Sequence, residues 1–435
     1  MSTKQILMEE VLTKQRRIAS IAEKHPDEAL HCLAHHIDLH WLYMAYLATR
    51  KDGAIGIDGV RAEEYEANLK ENLESLLNRL KSGQYRAPAV RRVHIPKGNG
   101  QTRPLGIPTF EDKVLQRAVL MLIEPIFERD FYDFSYGFRA GKGCHKALKH
   151  LRDGIMKMEG GWIIDLDIKG CFDNIDHAKL RDVYKQRVCD GVITRILGKW
   201  LKAGIMEEGQ ISYNIKGTPQ GGVVSPLLCN IFLNEVLDEW FVKDVQSRME
   251  GRSFMVRYAD DAVMVFEKKR DAKRVLEALS RRMHKYGLEL NEDKTKLIEF
   301  KADSGEGTPN SFDFLGFTLY WGKTRKGRKV VKLKTSKSRH QRALRSIHDW
   351  YKINRHKTLS YQYMILKRKI QGHYAYYGVS FNSRSLSTFR YRCQRMWHYW
   401  LSRRSGKSYI SWNRFSDMLK HYKLPMPKIY FLLFN

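Results

Sequence analysis

The sequence predicts an α/β (α+β) chain whose mixed front part is followed by a basic, helical back part. Three observations predict it. Short β-rich apolar segments, such as Trp162 to Ile168 and Phe254 to Phe266, alternate with stretches of helical period. Acids interrupt those apolar segments. The composition also changes abruptly after Gly322. A length of 435 residues suggests about two to four domains.

Taken in order, residues 1–50 read as a helical extension, with apolar residues at helical spacing from His31 to Tyr46. Gly53 to Gly59 is a glycine-rich loop before an acidic helix, Ala62 to Leu80. A strand is expected at Val90 to Ile95, then a turn at Pro96 to Gly100. Phe110 to Ile126 reads as a helix capped by Thr109, with Glu111 and Asp112 favourably placed in its first turn. Trp162 to Ile168 is a strand carrying acids. Gly217 to Pro226 is a Gly/Pro loop leading into a helix, Leu227 to Trp240. Phe254 to Phe266 reads as two short strands around a polar tip, Tyr258 to Asp261. Asp271 to Tyr286 is helical, and Phe312 to Tyr320 is another short strand pair. Lys323 to Ser338 reads as a linker. Helices then dominate from His340 to Tyr377 and from Ser385 to Arg403.

Charge separates the two parts more sharply than periodicity does. The chain holds 77 Lys+Arg against 48 Asp+Glu, a net charge of +29. From Lys323 to Asn435 there are 28 bases and two acids, Asp349 and Asp417, so +26 of the excess lies in the last 113 residues. Twenty of the 50 aromatics share that stretch, as in Tyr391-Arg392 and Arg395-Met396-Trp397. Cations neutralise phosphates and aromatic rings stack on unpaired bases, so the expected partner is a nucleic acid. No run of about 18 apolar residues is present to cross a membrane. Met1 to Glu10 lacks the basic start and apolar run of a secretion signal. The six cysteines (Cys32, Cys144, Cys171, Cys189, Cys229, Cys393) form no C-x-x-C pair, which fits a reducing compartment and argues against a structural zinc module.

Three acids stand in otherwise apolar strands: Asp167 after Ile163-Ile164-Asp165-Leu166, and Asp260 and Asp261 between Met255-Val256 and Val263-Met264. Ionised carboxylates beside a core are costly unless compensated, and a divalent cation compensates them well. Two such ions about 4 Å apart are the arrangement that drives nucleotidyl transfer. Taken alone, an Asp-Asp pair is more often a polar hairpin turn. His31, His35, His36 and His40 share helical spacing, but no acid or thiol completes a metal site around them.

Tyr258-Ala259-Asp260-Asp261 resembles the Y-x-D-D box of reverse transcriptases. Asp167 to His177 resembles the upstream metal-binding block of the group II intron branch, and Gly217-Thr218-Pro219-Gln220-Gly221-Gly222 to Leu228 resembles its template–nucleotide loop. Further blocks fall in the same order: Gly56 to Gly59, Arg103 to Pro108, Ser135 to Arg139, Leu290 to Thr295 and Phe314 to Phe317. In the tail, Gly372 to Gly378 and Leu424 to Lys428 carry a looser likeness to the thumb, or maturase (X), domain. The chain is thus similar to group II intron-encoded reverse transcriptase/maturases of the bacterial type without an HNH endonuclease domain.

The resemblance implies a right-hand polymerase of fingers, palm and thumb, with fingers and palm in residues 51–322 and the basic thumb/maturase domain in 323–435. It implies RNA-directed DNA polymerase activity and assistance to intron splicing and mobility. The expected partners are intron RNA, an RNA template, a DNA primer or target and deoxynucleoside triphosphates, in a cytoplasmic, nucleoid-accessible location. Asp167, Asp260 and Asp261 would be catalytic and would hold two Mg²⁺, for which Mn²⁺ can substitute, with the Ile168 carbonyl as a further ligand. Arg91, Lys97 and Arg103 would hold the triphosphate, Phe172 would exclude a 2′-hydroxyl, Gln220 would lie near the nucleotide and Lys294 beside the palm strands. Asp165, Asp173 and Asp176 are read as scaffold or hydrogen-bonding groups. Two other readings stay open: a domesticated relative serving repair or phage defence, and an RNA-binding splicing factor with incidental polymerase activity.

Overall fold

The computed structural model describes residues 3–96, 102–207, 210–213, 216–217, 221–302, 311–405 and 409–433. Its strands are β1 (Val90–Pro96), β2 (Thr102–Ile107), β3 (Gly160–Leu166), β4 (Ile205–Glu207), β5 (Gln210–Ser212), β6 (Ser253–Tyr258), β7 (Asp261–Phe266), β8 (Lys296–Lys301), β9 (Ser311–Phe314), β10 (Phe317–Lys323) and β11 (Lys329–Thr335). They form three sheets, ordered β2-β1-β4-β5, β6-β7-β3-β8 and β11-β10-β9. No helix of the described residues is long and apolar enough to cross a membrane.

The chain divides into two compact units that do not follow chain order. The first comprises Met1–Gly143, Ile164–Met264 and Arg270–Lys296; the second comprises Cys144–Ile163, Val265–Lys269 and Leu297–Asn435. In the first unit, helix Phe110–Asp130 is the central beam. Thr109 caps it as the sequence predicts, its hydroxyl accepting from Asp112 N at 3.2 Å. The N-terminal helix Thr3–Lys24 and the helix Leu39–Ala48 dock on this beam through polar as well as apolar groups. Trp41 Nε1 donates to Ala118 O at 2.9 Å and Gln15 Nε2 to Met121 O at 2.7 Å, so residues 1–50 brace the beam. The expected helix Ala62 to Leu80 is two helices, Ala62–Ala67 and Leu69–Lys81, broken at Asn68, whose backbone leaves the helical region. After Ser225–Leu233 the chain continues as a π-type helix, Asn234–Val245.

In the second unit the expected linker at Lys323 to Ser338 is instead strand β11 and the start of helix Lys337–Asn354. The reason lies in its alternation. Lys329, Lys332 and Lys334 stay in water or half-covered, while Val330, Val331 and Leu333 are buried against β10 and its surroundings. Helices Lys337–Asn354, Leu359–Tyr377, Ser383–Leu401 and Trp412–His421 share a core of Leu344, Tyr351, Leu366, Ile370, Trp397 and Phe415. The two tail motifs meet on its edge: Tyr374 Oη donates to Pro425 O at 3.3 Å and Tyr430 N donates to Gly378 O at 2.7 Å.

Candidate active site

Two short segments carry the three carboxylates. Asp167 follows the last residue of β3, and Asp260 and Asp261 occupy the tight turn and first residue of the β6–β7 hairpin. Gly161, at the start of β3, lies against the Phe266 carbonyl at the end of β7. The two neighbouring strands therefore run in opposite directions, and the end of β3 and the beginning of β7 share one end of the sheet. All three carboxylates stand at that end. Asp167 and Asp260 are half-buried and Asp261 is exposed.

Segment 289–295 holds Asp167 in place. Asn291 N donates to Asp167 O at 2.9 Å, Lys169 N donates to Glu289 O at 2.9 Å, and Ile168 forms an antiparallel bridge with Leu290. Lys294 Nζ approaches the Asp167 carboxylate at 3.1 and 3.3 Å. Two predicted residues separated by 127 positions are thus in direct contact, one a cation on the other's oxygens.

The hairpin turn is strained and buttressed. Ala259 has φ +56°, a left-handed conformation that costs an L-residue about 1–2 kcal/mol and is usually left to glycine. Arg257, wholly buried, holds it from below: Nη1 donates to Ala259 O at 3.0 Å and to Asn230 Oδ1 at 2.9 Å. Its Nε donates to both oxygens of the buried Asp238, at 2.7 and 3.0 Å. Burial pushes the Asp238 carboxyl up, against the opposing pull of Arg257. Gly137 closes the turn from the other side. A Cβ there would stand 2.2 Å from Ala259 N, so only glycine lets the two backbones lie together. Asn230 Nδ2 donates to Gly137 O at 2.7 Å, which joins the two supports. Sequence reasoning missed Arg257, Asp238 and Asn230. The available signal was Arg257 itself, a charge in the apolar run Met255-Val256.

Phe172 sits on the short turn Cys171–Asn174 and is half-exposed, which separates it from the buried Cys171 beside it. Asp176 caps the following helix, accepting from Ala178 N and Lys179 N at 2.9 and 3.0 Å. Those backbone donors hold its carboxyl below the ordinary range. The loop after Gly217 starts here as well: Gly217 N donates to Ile175 O at 2.8 Å, and His177 Nε2 lies 2.6 Å from Gly217 O. Its far end is anchored on β2 and on helix Phe110–Asp130. Gly221, at φ +115°, lies so close to Gly106 O that a Cβ would come within 2.7 Å. Gln116 Oε1 accepts from Val223 N at 2.7 Å while its Nε2 donates to the buried Asp112 at 3.0 Å. Asp112 also accepts from Tyr85 Oη at 2.5 Å and Trp200 Nε1 at 2.6 Å, and burial pushes its carboxyl up to about 6.

The other predicted residues are distributed unevenly. Arg103 is exposed on β2, opposite Ile95 in register. Arg91, on β1, turns its guanidinium to Ile55 O, at 3.0 and 2.6 Å. Lys97 and Gln220 lie outside the described residues. His35 and His36 face each other at 3.9 Å with no ion site around them; among the described residues no three His, Cys, Asp or Glu groups converge on one point. Carboxylate oxygens suit Mg²⁺, which keeps several waters and binds through one or two carboxylates plus substrate phosphates rather than in an all-protein cage. An open set such as Asp167, Asp260 and Asp261 fits that chemistry.

The second unit carries a different surface. A cavity of about 870 Å³ is lined by His348, Arg395, Tyr399, Arg403, Tyr409 and Trp412 among others. Arg403 lies 3.6 Å over the Tyr399 ring, and His398 stacks on Trp412 at 3.9 Å. Rings and cations without a carboxylate are the chemistry of stacking on nucleic acid.

The sequence model of a family described as "Reverse transcriptase (RNA-dependent DNA polymerase)" matches residues 95–319. Protein YkfC of Escherichia coli (strain K12) is 33% identical over 352 residues, covering 72% of this chain and 89% of that protein. Group II intron-encoded protein LtrA of Lactococcus lactis subsp. cremoris is 39% identical over 214 residues, which is 48% of this chain and 35% of LtrA, so the match spans about a third of that longer protein. Putative COX1/OXI3 intron 1 protein of Saccharomyces cerevisiae is 28% identical over 304 residues, covering 58% of this chain and 36% of that protein.

Proposed function

Because the chain belongs to the reverse transcriptase (RNA-dependent DNA polymerase) family, we propose that it is the RNA-directed DNA polymerase of a group II intron and the RNA-binding maturase of that intron. The observation that carries the reading is the placement of Asp167 and the buttressed Tyr258–Asp261 turn at the same end of the β6-β7-β3-β8 sheet. Residues 51–322 serve as fingers and palm, and residues 323–435 as the thumb and maturase domain.

In this reading Asp167, Asp260 and Asp261, with the Ile168 carbonyl, hold two Mg²⁺. Those ions, when bound, lower the pKa of the primer hydroxyl and stabilise the departing pyrophosphate. The chain's own groups do the positioning. Lys97 and Arg103 neutralise the triphosphate from the β1–β2 hairpin. Arg91 contributes charge beside them while bracing the Ile55 carbonyl. Phe172, half-exposed on its turn, is the residue that would exclude a 2′-hydroxyl and so select deoxynucleotides. Gln220 lies near the nucleotide; on either side of it in sequence, Gly217 is held by Ile175 and His177, and Gly221 and Val223 by Gly106 and Gln116. Lys294 balances the charge of Asp167.

Asp260→Asn should abolish primer extension on an RNA template while leaving RNA binding nearly intact; a variant that still extends would remove the carboxylate assignment. Phe172→Ala should admit ribonucleotides, and unchanged sugar discrimination would move the gate elsewhere. The maturase part is tested by sequencing the RNA that stays bound to the purified chain at moderately high salt, followed by a splicing assay. One structured RNA flanking the chain's own reading frame supports it, whereas diffuse transcripts count against it and leave the polymerase assignment standing.

A further inference from the structure

The first 322 residues hold 49 bases and 46 acids, so their charge is nearly balanced. One cavity in the first unit departs from that balance. It measures about 680 Å³, and its fifteen lining residues include Arg86, Arg181, Lys185, Arg195, Lys199 and Lys202 but no carboxylate. In proportion to the composition of this region, fifteen residues would hold about two of each sign. Like charges gathered without counter-charges repel one another, so an arrangement of this kind is the footprint of an anion.

The cations come from two helix faces. Helix His177–Lys185 presents Arg181 and Lys185 one turn apart, and helix Gly191–Leu201 presents Arg195 and Lys199, with Lys202 just past its end. Arg195 to Lys202 covers about 10 Å of helix axis, too long for a single phosphate group. Lys199 is committed to structure, since its Nζ donates to Gly83 O at 2.8 Å and also to Tyr85 O. The other five are not in salt bridges with described carboxylates. Between them lies Gly198, in mid-helix, where a Cβ would meet nothing within 4 Å. No neighbour requires a glycine there, although it costs a helix about 1 kcal/mol relative to alanine; its effect is to leave the cavity wall open. The rim is apolar and wet: Tyr213 is 74% exposed and Ile211 48% exposed.

We propose that this cavity binds a segment of RNA strand, with successive phosphates on Arg86, Arg181, Lys185, Arg195 and Lys202 and one base stacked on Tyr213. It is a second RNA contact, on residues separate from the polymerase carboxylates, and it rests on the reading of the chain as an RNA-binding polymerase. The phosphates could also belong to a free nucleotide. The length of the cation track favours a strand, and the experiment separates the two sources.

The test uses the full chain, labelled (rU)₁₂ and labelled ATP, with Lys185→Gln/Lys202→Gln and Tyr213→Ala as variants. All three positions are exposed, so melting temperatures should match the parent. The double charge variant should weaken (rU)₁₂ binding by tenfold or more and lower the slope of log K against log salt by about 1.4, the value for two single-strand phosphate contacts. Tyr213→Ala should weaken binding by about tenfold with the slope unchanged, as loss of one stacked base predicts. Photocrosslinking of 5-iodouridine-substituted (rU)₁₂ should attach at Tyr213. Parental affinity, slope and crosslinking in both variants would overturn the proposal, as would loss of ATP binding with (rU)₁₂ binding intact. Primer extension by the parent chain, run alongside, keeps the two readings apart: pocket variants that bind RNA normally, beside a parent that extends, remove this pocket alone.

Discussion

Replacing Asp238 by Asn probes the support beneath the Asp-Asp turn with almost no change of shape. Asp238 and Arg257 are both fully buried, and the guanidinium spends three of its contacts on that carboxylate. Neutralising one partner leaves a cation in a dry interior, which costs about 3–5 kcal/mol. For cooperative units of this size roughly 2–4 °C of melting temperature corresponds to 1 kcal/mol, so a fall of about 10 °C is expected. Activity should suffer beyond stability. Arg257 also donates to Ala259 O, and Ala259 is held at φ +56° directly before Asp260. A carboxylate displaced by about 1 Å can lose up to a hundredfold in rate. The double variant Asp238→Leu/Arg257→Met separates the two effects. Exchanging a buried ion pair for apolar side chains is often neutral or stabilising, so melting should recover toward the parent. Primer extension should not recover, because the donor to Ala259 O is gone, and the loss should appear in kcat rather than in KM for the nucleotide. If Asp238→Asn melts within about 2 °C of the parent and extends at the parental rate, the buried-charge argument and the turn-support argument both fail.

Two further outcomes follow from the same supports. Burial holds the Asp112 carboxyl up at about 6 against an ordinary 3.8, so the folded chain binds this proton more tightly than the unfolded one. Its contribution to stability is therefore greatest below about pH 4 and declines as pH rises through about 6. Asp112→Asn removes that dependence and should gain on the parent by about 3 kcal/mol between pH 4 and pH 7, read from paired thermal melts; a gap that does not move with pH contradicts the assignment. Among the glycines, Gly137→Ala should severely reduce extension, since its Cβ would stand 2.2 Å from the Ala259 backbone nitrogen, which cannot give way as a flexible side chain would. Gly372→Ala, within helix Leu359–Tyr377 and with nothing within 4 Å, should raise stability by about 1 kcal/mol. Equal effects of the two alanines would mean that close approach does not explain Gly137.

The parts of the fold that were legible in the sequence are those written locally. Thr109 announces its helix by a cap three residues from the amide it serves, and the β6–β7 hairpin is bounded by its own apolar runs. Strand β11 was hidden because Lys329, Lys332 and Lys334 dominated its composition, while the informative feature was which neighbours alternate with them. Helices His177–Lys185 and Gly191–Leu201 lie between two motifs and carry in Asp176 and Asp190 the same kind of cap signal as Thr109. The carboxylates of the candidate site stand out in the sequence for a different reason: an acid in an apolar strand is a local contradiction, and such contradictions are where functional sites are expected. The same logic applies to Arg257, which contradicts its strand just as Asp260 does. What no local pattern supplies is the answering charge. Asp238 lies in a helix nineteen positions upstream, where an acid reads as an ordinary surface group, and only folding turns it inward. An unusual charge in a strand therefore points to two residues, one visible in sequence and one that only packing reveals. In this chain the visible residues are the candidates for reaction, and the hidden ones hold the backbone beside them in its strained shape.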